Sequence, residues 1–144
     1  MPEIKIGGRE IPLYYSSLEM VEIQKSIGCT AFQLNEEVFG IHLEDEDDPS
    51  SLTFGVMKDM EKVEKLGKLI RILGNAGLEE EEQEPDLTDK WVLRHIKPGM
   101  VMVYVIALVS VISDGNRIEK IGTEEGGPVD EGLEEIEAKK QQGN

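Results

Sequence analysis

Residues 3–28, EIKIGGREIPLYYSSLEMVEIQKSIG, constrain the fold more than any other stretch, because they spell a hairpin, a helix start and a helix stop in succession. Ile4 and Ile6, then Ile11 and Leu13, alternate with other residues on either side of Gly7-Gly8, a two-residue hairpin signal. Pro12 has no amide hydrogen for a ladder, so the second strand belongs at an edge. A lone ribbon is marginal in water and needs a helix across one face. The following residues supply it. Ser16 with Glu19 three positions on is a capping box, Met20, Ile23 and Ile27 share a helical face, and Gly28 is placed to end the helix.

The same grammar recurs at once. Thr30 and Gln33 make a second capping box for a short helix carrying Ala31, Leu34 and Val38, with Gly40 as its stop. Residues 44–50 break the periodicity and read as an acidic surface loop. From about Ser51 to Leu73, Val56, Met60, Val63, Ile70 and Leu73 recur at helical spacing, and Glu61 with Lys65 and Glu64 with Lys68 are favourable i,i+4 pairs. Gly74-Asn75-Ala76-Gly77 reads as the stop of this longest helix, and 79–85 as a polar linker. Thr88 caps a short helix bearing Trp91, Val92, His95 and Ile96, with Leu87 placed to staple onto Val92; Pro98 ends it and opens the last helix. That helix, 100–113, is apolar on nearly every side and stops at Asp114-Gly115-Asn116. Its β-branched residues also permit a strand, but length, proline start and stop favour a helix.

These signals predict a mainly α fold: an N-terminal β-hairpin packed on a small bundle of about five helices, with acidic loops. Residues 1–116 form one compact domain in this reading and 117–144 a flexible acidic tail, within which 129–140 has the pattern of a short helix formed on a partner. The formal net charge of -15 looks like a statement about partners, yet 18 of the 30 acids lie in 44–48, 79–86 and 124–137. Outside these segments, and without Lys139 and Lys140, 12 acids face 13 bases, so the folded part is close to neutral. No basic stripe with interleaved aromatics exists to neutralise phosphates, which argues against nucleic acid. The one cysteine, Cys29, precludes an internal disulfide, and no secretory leader is visible at the N-terminus; both suit a cytoplasmic location. The longest uninterrupted apolar run, 100–109, falls short of the roughly 20 residues of a membrane span, so no membrane partner is expected.

Candidate chemistry is sparse. Residues 44–56 lack the sixth-position glycine and twelfth-position glutamate of a calcium loop. His42 and His95 have no partner at ligand spacing, so no metal is expected. Cys29 lies between a helix stop and a helix cap, where it reads as a small buried residue rather than a reactive thiol. Gly7-Gly8 and Gly126-Gly127-Pro128 fit no phosphate-binding pattern, and no serine sits in a nucleophile elbow. Lys58, Lys62, Lys65, Lys68 and Arg71 suggest an anion strip, but the interleaved acids make a solvated helix face the better reading. The expectation is a protein without catalytic residues or cofactor.

Two stretches resemble the small tail assembly chaperones of long-tailed phages and prophages of Gram-positive bacteria. One is IGGREIPLYY, 6–15, running into the helix that ends at Gly28; the other is LIRILGNAG, 69–77, followed by PDLTDKW, HIKPG and the apolar helix to Gly115. The resemblance covers about two thirds of the chain and rests on structural residues. It implies a non-enzymatic helper in the bacterial host cytoplasm that binds the tape measure protein before tail tube protein polymerises around it, and that is absent from the virion. It also implies possible homo-oligomers and a frameshifted longer form, with which Glu137-Ala-Lys-Lys140 is compatible. The competing class is a structural virion protein such as a head-tail connector or tail-completion protein. A chaperone for a helical client needs adaptable apolar contacts, to which Met57, Met60, Met100 and Met102 are suited; the partner-binding residues expected are Met57 and Met60 on the long helix and Met100, Val101, Tyr104, Val105 and Leu108 on the last.

Overall fold

The computed structural model describes residues 1–118. Strands β1 (Glu3–Ile6) and β2 (Arg9–Pro12) pair antiparallel with Ile4 opposite Ile11 and Ile6 opposite Arg9. Gly7 and Gly8 both have positive φ, +57° and +82°, as a tight two-residue turn of this hand requires. The turn sits on an aromatic pair: His95 stacks on Trp91 with ring centroids 4.5 Å apart, and a Cβ on Gly7 would lie 3.0 Å from the His95 ring. Helix α1 (Ser17–Ile27) starts at the expected capping box, where the Ser16 amide donates to Glu19 Oε1 at 2.8 Å, and it ends at Gly28 with φ +91°.

Between α1 and the long helix, tertiary contacts override local signals. Residues 31–39 form a tight turn, Ala31–Gln33, and a wide one, Asn35–Phe39, rather than a regular α-helix. Gly40 ends them with φ +61°, and a Cβ there would lie 2.8 Å from the Gly55 Cα. This close approach is part of a second hairpin unforeseen in the sequence, β3 (Ile41–Leu43) against β4 (Leu52–Phe54). Its acidic connection is shaped by its own carboxylates: Asp45 accepts from the Asp47 amide and Asp48 from the Ser50 amide. The long helix therefore starts later than expected. After a tight turn, Gly55–Lys58, α2 (Met60–Glu80) is capped by Asp59, whose carboxylate accepts from the Glu61 amide at 2.9 Å.

The expected stop at 74–77 is also corrected, because α2 runs through both glycines. Gly67 faces Leu93, Gly74 faces Leu87 and Ile11, and Gly77 lies under the Pro12 carbonyl. Missing side chains let the hairpin and the following helix approach the α2 backbone, so the glycines are docking positions. The Tyr14 amide donates to the Leu73 carbonyl at 3.1 Å, and the Asn75 side chain bonds both the amide and the carbonyl of Leu87. The basic strip likewise turns inward. Lys62 donates to the Glu36 carbonyl, Lys65 meets Glu37 at 3.6 Å rather than Glu61, and Lys68 and Arg71 converge on Asp89 rather than on α2 acids.

Helix α3 (Asp89–His95) is capped by Thr88, which accepts from the Trp91 amide at 3.1 Å. A turn, Pro98–Met100, leads into α4 (Val101–Asn116), which is a helix and not a strand. The Tyr15 hydroxyl donates to Asn116 Oδ1 at 3.3 Å, and Gly115 lies against the Tyr15 ring, fastening the hairpin to the end of α4. One hydrophobic cluster joins the first hairpin, residues 31–39 and all four helices, with Ile11, Ile23, Leu66, Leu73 and Leu108 fully buried. The architecture is mainly α, a β-hairpin packed on five helical units, as the sequence leads one to expect. The expected acidic tail falls, apart from Arg117 and Ile118, outside the described residues, as does the expected short helix over 129–140.

Asp89 joins α3 to α2 and has a pH signature. Burial raises its pKa, but the hydrogen bonds from Lys68 and Arg71 outweigh that and hold the carboxyl below its ordinary value. A pKa depressed by folding contributes stability that is fully present above the unfolded value, about 4, and lost as pH falls through the folded value. Asp89→Asn is expected to cost about 1 kcal/mol at neutral pH, kept small by solvent screening because the carboxylate is 36% exposed. It should also flatten the loss of stability below pH 4, as measured by urea unfolding across pH.

Candidate protein-binding site

No charged residue occurs from Met100 to Ser113, so α4 has no polar face of its own over most of its length. A helix of this composition must be covered on all sides or present an apolar surface. Val101, Tyr104, Val105, Leu108, Val111 and Ile112 are buried in the core. Met102, Val103 and Ile106 are on the opposite side and 46%, 51% and 56% exposed, with Ser110 and Ser113 continuing that face. Three large apolar side chains thus stand in solvent on a rigid helix.

Two apolar grooves lie against α4. One, of about 340 Å³, lies at the first turn of α4, between the Gly55–Lys58 turn, α2 and α3, and is lined by Met57, Val63, Leu93, Ile96, Lys97 and Val101, with Pro98 at its edge. The other, of about 260 Å³, lies toward the helix end and is lined by Phe39, Ile41, Val109 and Ile112 beneath Phe32. Phe32 is 73% exposed. Val101 and Val109 are eight residues apart, about 12 Å along the axis and turned about 80° from one another around it. Along this strip of α4 Lys97 is the sole charged residue lining a groove, and neither groove is lined by Met102, Val103 or Ile106.

The residues expected from sequence divide along this strip. Met57 and Val101 meet in the first groove, while Met60, 84% exposed, is three residues before Val63, and Met100, also exposed, immediately precedes Val101. Tyr104, Val105 and Leu108 are buried in the core, and the large apolar side chains that α4 leaves exposed are Met102, Val103 and Ile106. The phase was legible: Ser110 and Ser113 mark the outward face, and counting back one and two turns reaches Ile106, Val103 and Met102.

Elsewhere the chemistry is spent on structure. His95 Nδ1 donates to the Trp91 carbonyl at 2.8 Å, Arg9 lies over the Trp91 ring, and His42 is in β3. Burial pushes the Cys29 thiol above its ordinary pKa, and the Glu37 carboxylate pushes it the same way against the opposing pull of Lys65. This environment suppresses thiolate formation. Among the described residues no group of three or more His, Cys, Asp or Glu side chains is placed to hold a metal ion. Ser110 does not interrupt the helix, and Pro98–Asn116, at 19 residues, is, contrary to the expectation from the apolar run, long and apolar enough to cross a membrane by length and composition alone. One third of its apolar 18-residue window is buried inside the protein. No protein-family model matches this chain, and no curated protein or solved structure is significantly similar to it.

Proposed function

We propose that the protein is a non-enzymatic chaperone of the tail-assembly type, which holds apolar helical segments of a tape measure protein in the host cytoplasm until tail tube protein replaces it. The observation that carries the reading is the uncharged outer face of α4, where Met102, Val103 and Ile106 are exposed on a helix that also borders an apolar groove near each end. Contiguous exposed apolar surface of this kind marks interaction sites. A client helix laid along α4 would place its own apolar stripe against this row, the helix-in-groove mode of recognition. Each large apolar side chain removed from water contributes about 1.5–3 kcal/mol, so a few contacts suffice for a reversible complex. Exposed methionines at 57, 60, 100 and 102 adapt to varied client side chains, as a chaperone of a long, repetitive client requires. The resemblance of residues 6–28 and 69–115 to tail assembly chaperones supplies the client's identity.

Co-expression with the tape measure protein tests this directly. The expected result is a rise in soluble client and a complex that elutes as one species. An insoluble client and separate elution would sink the proposal. Recovery of the chain from purified mature particles as a fixed-number ring would instead mean a connector.

A further inference from the structure

We infer that the groove at the first turn of α4 is the docking site of residues 129–140 of this same chain, which compete there with the client. The inference rests on reading that groove as a helix-binding site. No carboxylate lines it, and its one charged lining residue is Lys97. Among charged residues next in the chain to its lining, Lys58, Lys62 and Arg94 outnumber Glu64. Lys58, Arg94 and Lys97 have no ion-pair partner among the described residues. On a chain of net charge -15, an apolar groove with this rim selects an acidic, amphipathic segment.

Residues 129–140 have that chemistry. Val129, Leu133 and Ile136 recur at spacings of four and three, which place them on one side of a helical turn. Asp130, Glu131, Glu134 and Glu135 stand with Gly132 at the intervening positions, and with Glu137 they give 129–140 five acids against Lys139 and Lys140. The reach is sufficient. Ile118 follows the C-terminal end of α4, the groove is at its N-terminal end, and 16 residues of helix span about 24 Å. Ten residues, 119–128, bridge up to about 33 Å. Tethering makes the docking intramolecular, so even a weak contact is populated. The segment would cover Met57 and Val101 until a client with a larger apolar stripe displaces it, protecting the surface from self-association.

The test uses the full chain labelled at its methionine methyl groups. Leu133→Asp with Ile136→Asp is expected to shift the Met57 and Met100 methyl resonances while Met102, on the outer face, stays in place. Lys97→Glu on the groove side is expected to give the same displacement. If the segment fills the groove nine-tenths of the time, the double variant binds client about tenfold more tightly. Unchanged Met57 signals in both variants would overturn the inference, and a shift that vanishes on dilution would assign the groove to another copy's segment and overturn it too. Client that binds neither protein, with Met57 still responding, would defeat the proposed function and leave this inference standing.

Discussion

Gly77→Ala is expected to abolish the native fold or leave it barely stable. Helix propensity alone says the reverse, because alanine inside a helix is favoured over glycine by about 1 kcal/mol. The position is decided by packing. A Cβ at Gly77 would stand 2.1 Å from the Pro12 carbonyl oxygen, 2.4 Å from its carbon and 2.9 Å from the Leu13 amide nitrogen. All three are backbone atoms, so no side-chain rotation relieves the clash. Nor is the hairpin free to withdraw: the Leu13 amide donates to the Pro2 carbonyl at 2.8 Å, and the Tyr14 amide to the Leu73 carbonyl on α2. Lifting the strand off α2 would open the core at Ile11, Leu13 and Leu73, all at most 1% exposed. A cost above about 3 kcal/mol follows, a large share of the stability of a domain this size. Gly99→Ala, where a Cβ meets nothing within 4 Å, is the matched control and should be near neutral. Urea unfolding followed by Trp91 fluorescence reads both. Wild-type stability in the Gly77 variant would mean that the hairpin does not dock on α2 as described.

Ile106→Arg is expected to leave the fold intact and to reduce client binding by a hundredfold or more. Ile106 is 56% exposed and points away from the core, so a long charged side chain is accommodated in solvent. In a complex the guanidinium would be trapped under an apolar client stripe. Burying an unpaired charge costs several kcal/mol, and about 3 kcal/mol already exceeds a hundredfold in affinity. Leu108→Arg, two residues along and fully buried, should instead unfold the protein. The contrast separates a binding face from a core face on the same helix. Circular dichroism establishes folding, and calorimetry with a tape measure fragment measures affinity. Undiminished binding by a folded Ile106 variant would remove α4 as the client site.

Much of the fold was legible because its signals are local. The capping box at Ser16, the turn at Gly7-Gly8, the Thr88 cap and the helical reading of 100–113 each depend on residues within a few positions of one another. The misreadings share one cause. Gly74 and Gly77 carry a stop signal in isolation, yet serve as contact points for Ile11 and Pro12, more than 60 residues away. Lys65 and Lys68 have acids at favourable spacing on their own helix, but Glu37 and Asp89 reach them from other elements. The second hairpin is three residues per strand, too short for its alternation to stand out from an acidic loop.

Side-chain type and spacing were enough to establish that α4 is apolar all round and that this chain must hide or use that surface. Which side is hidden depends on the hairpin, α2 and residues 31–39 closing around one flank, a packing outcome whose local mark is confined to Ser110 and Ser113 on the outer side. Tyr104, Val105 and Leu108 became core and Met102, Val103 and Ile106 became surface for that reason alone. Local free-energy preferences choose the elements, whereas burial is a property of their arrangement, so the helix was readable from its residues and its exposed face emerged with assembly.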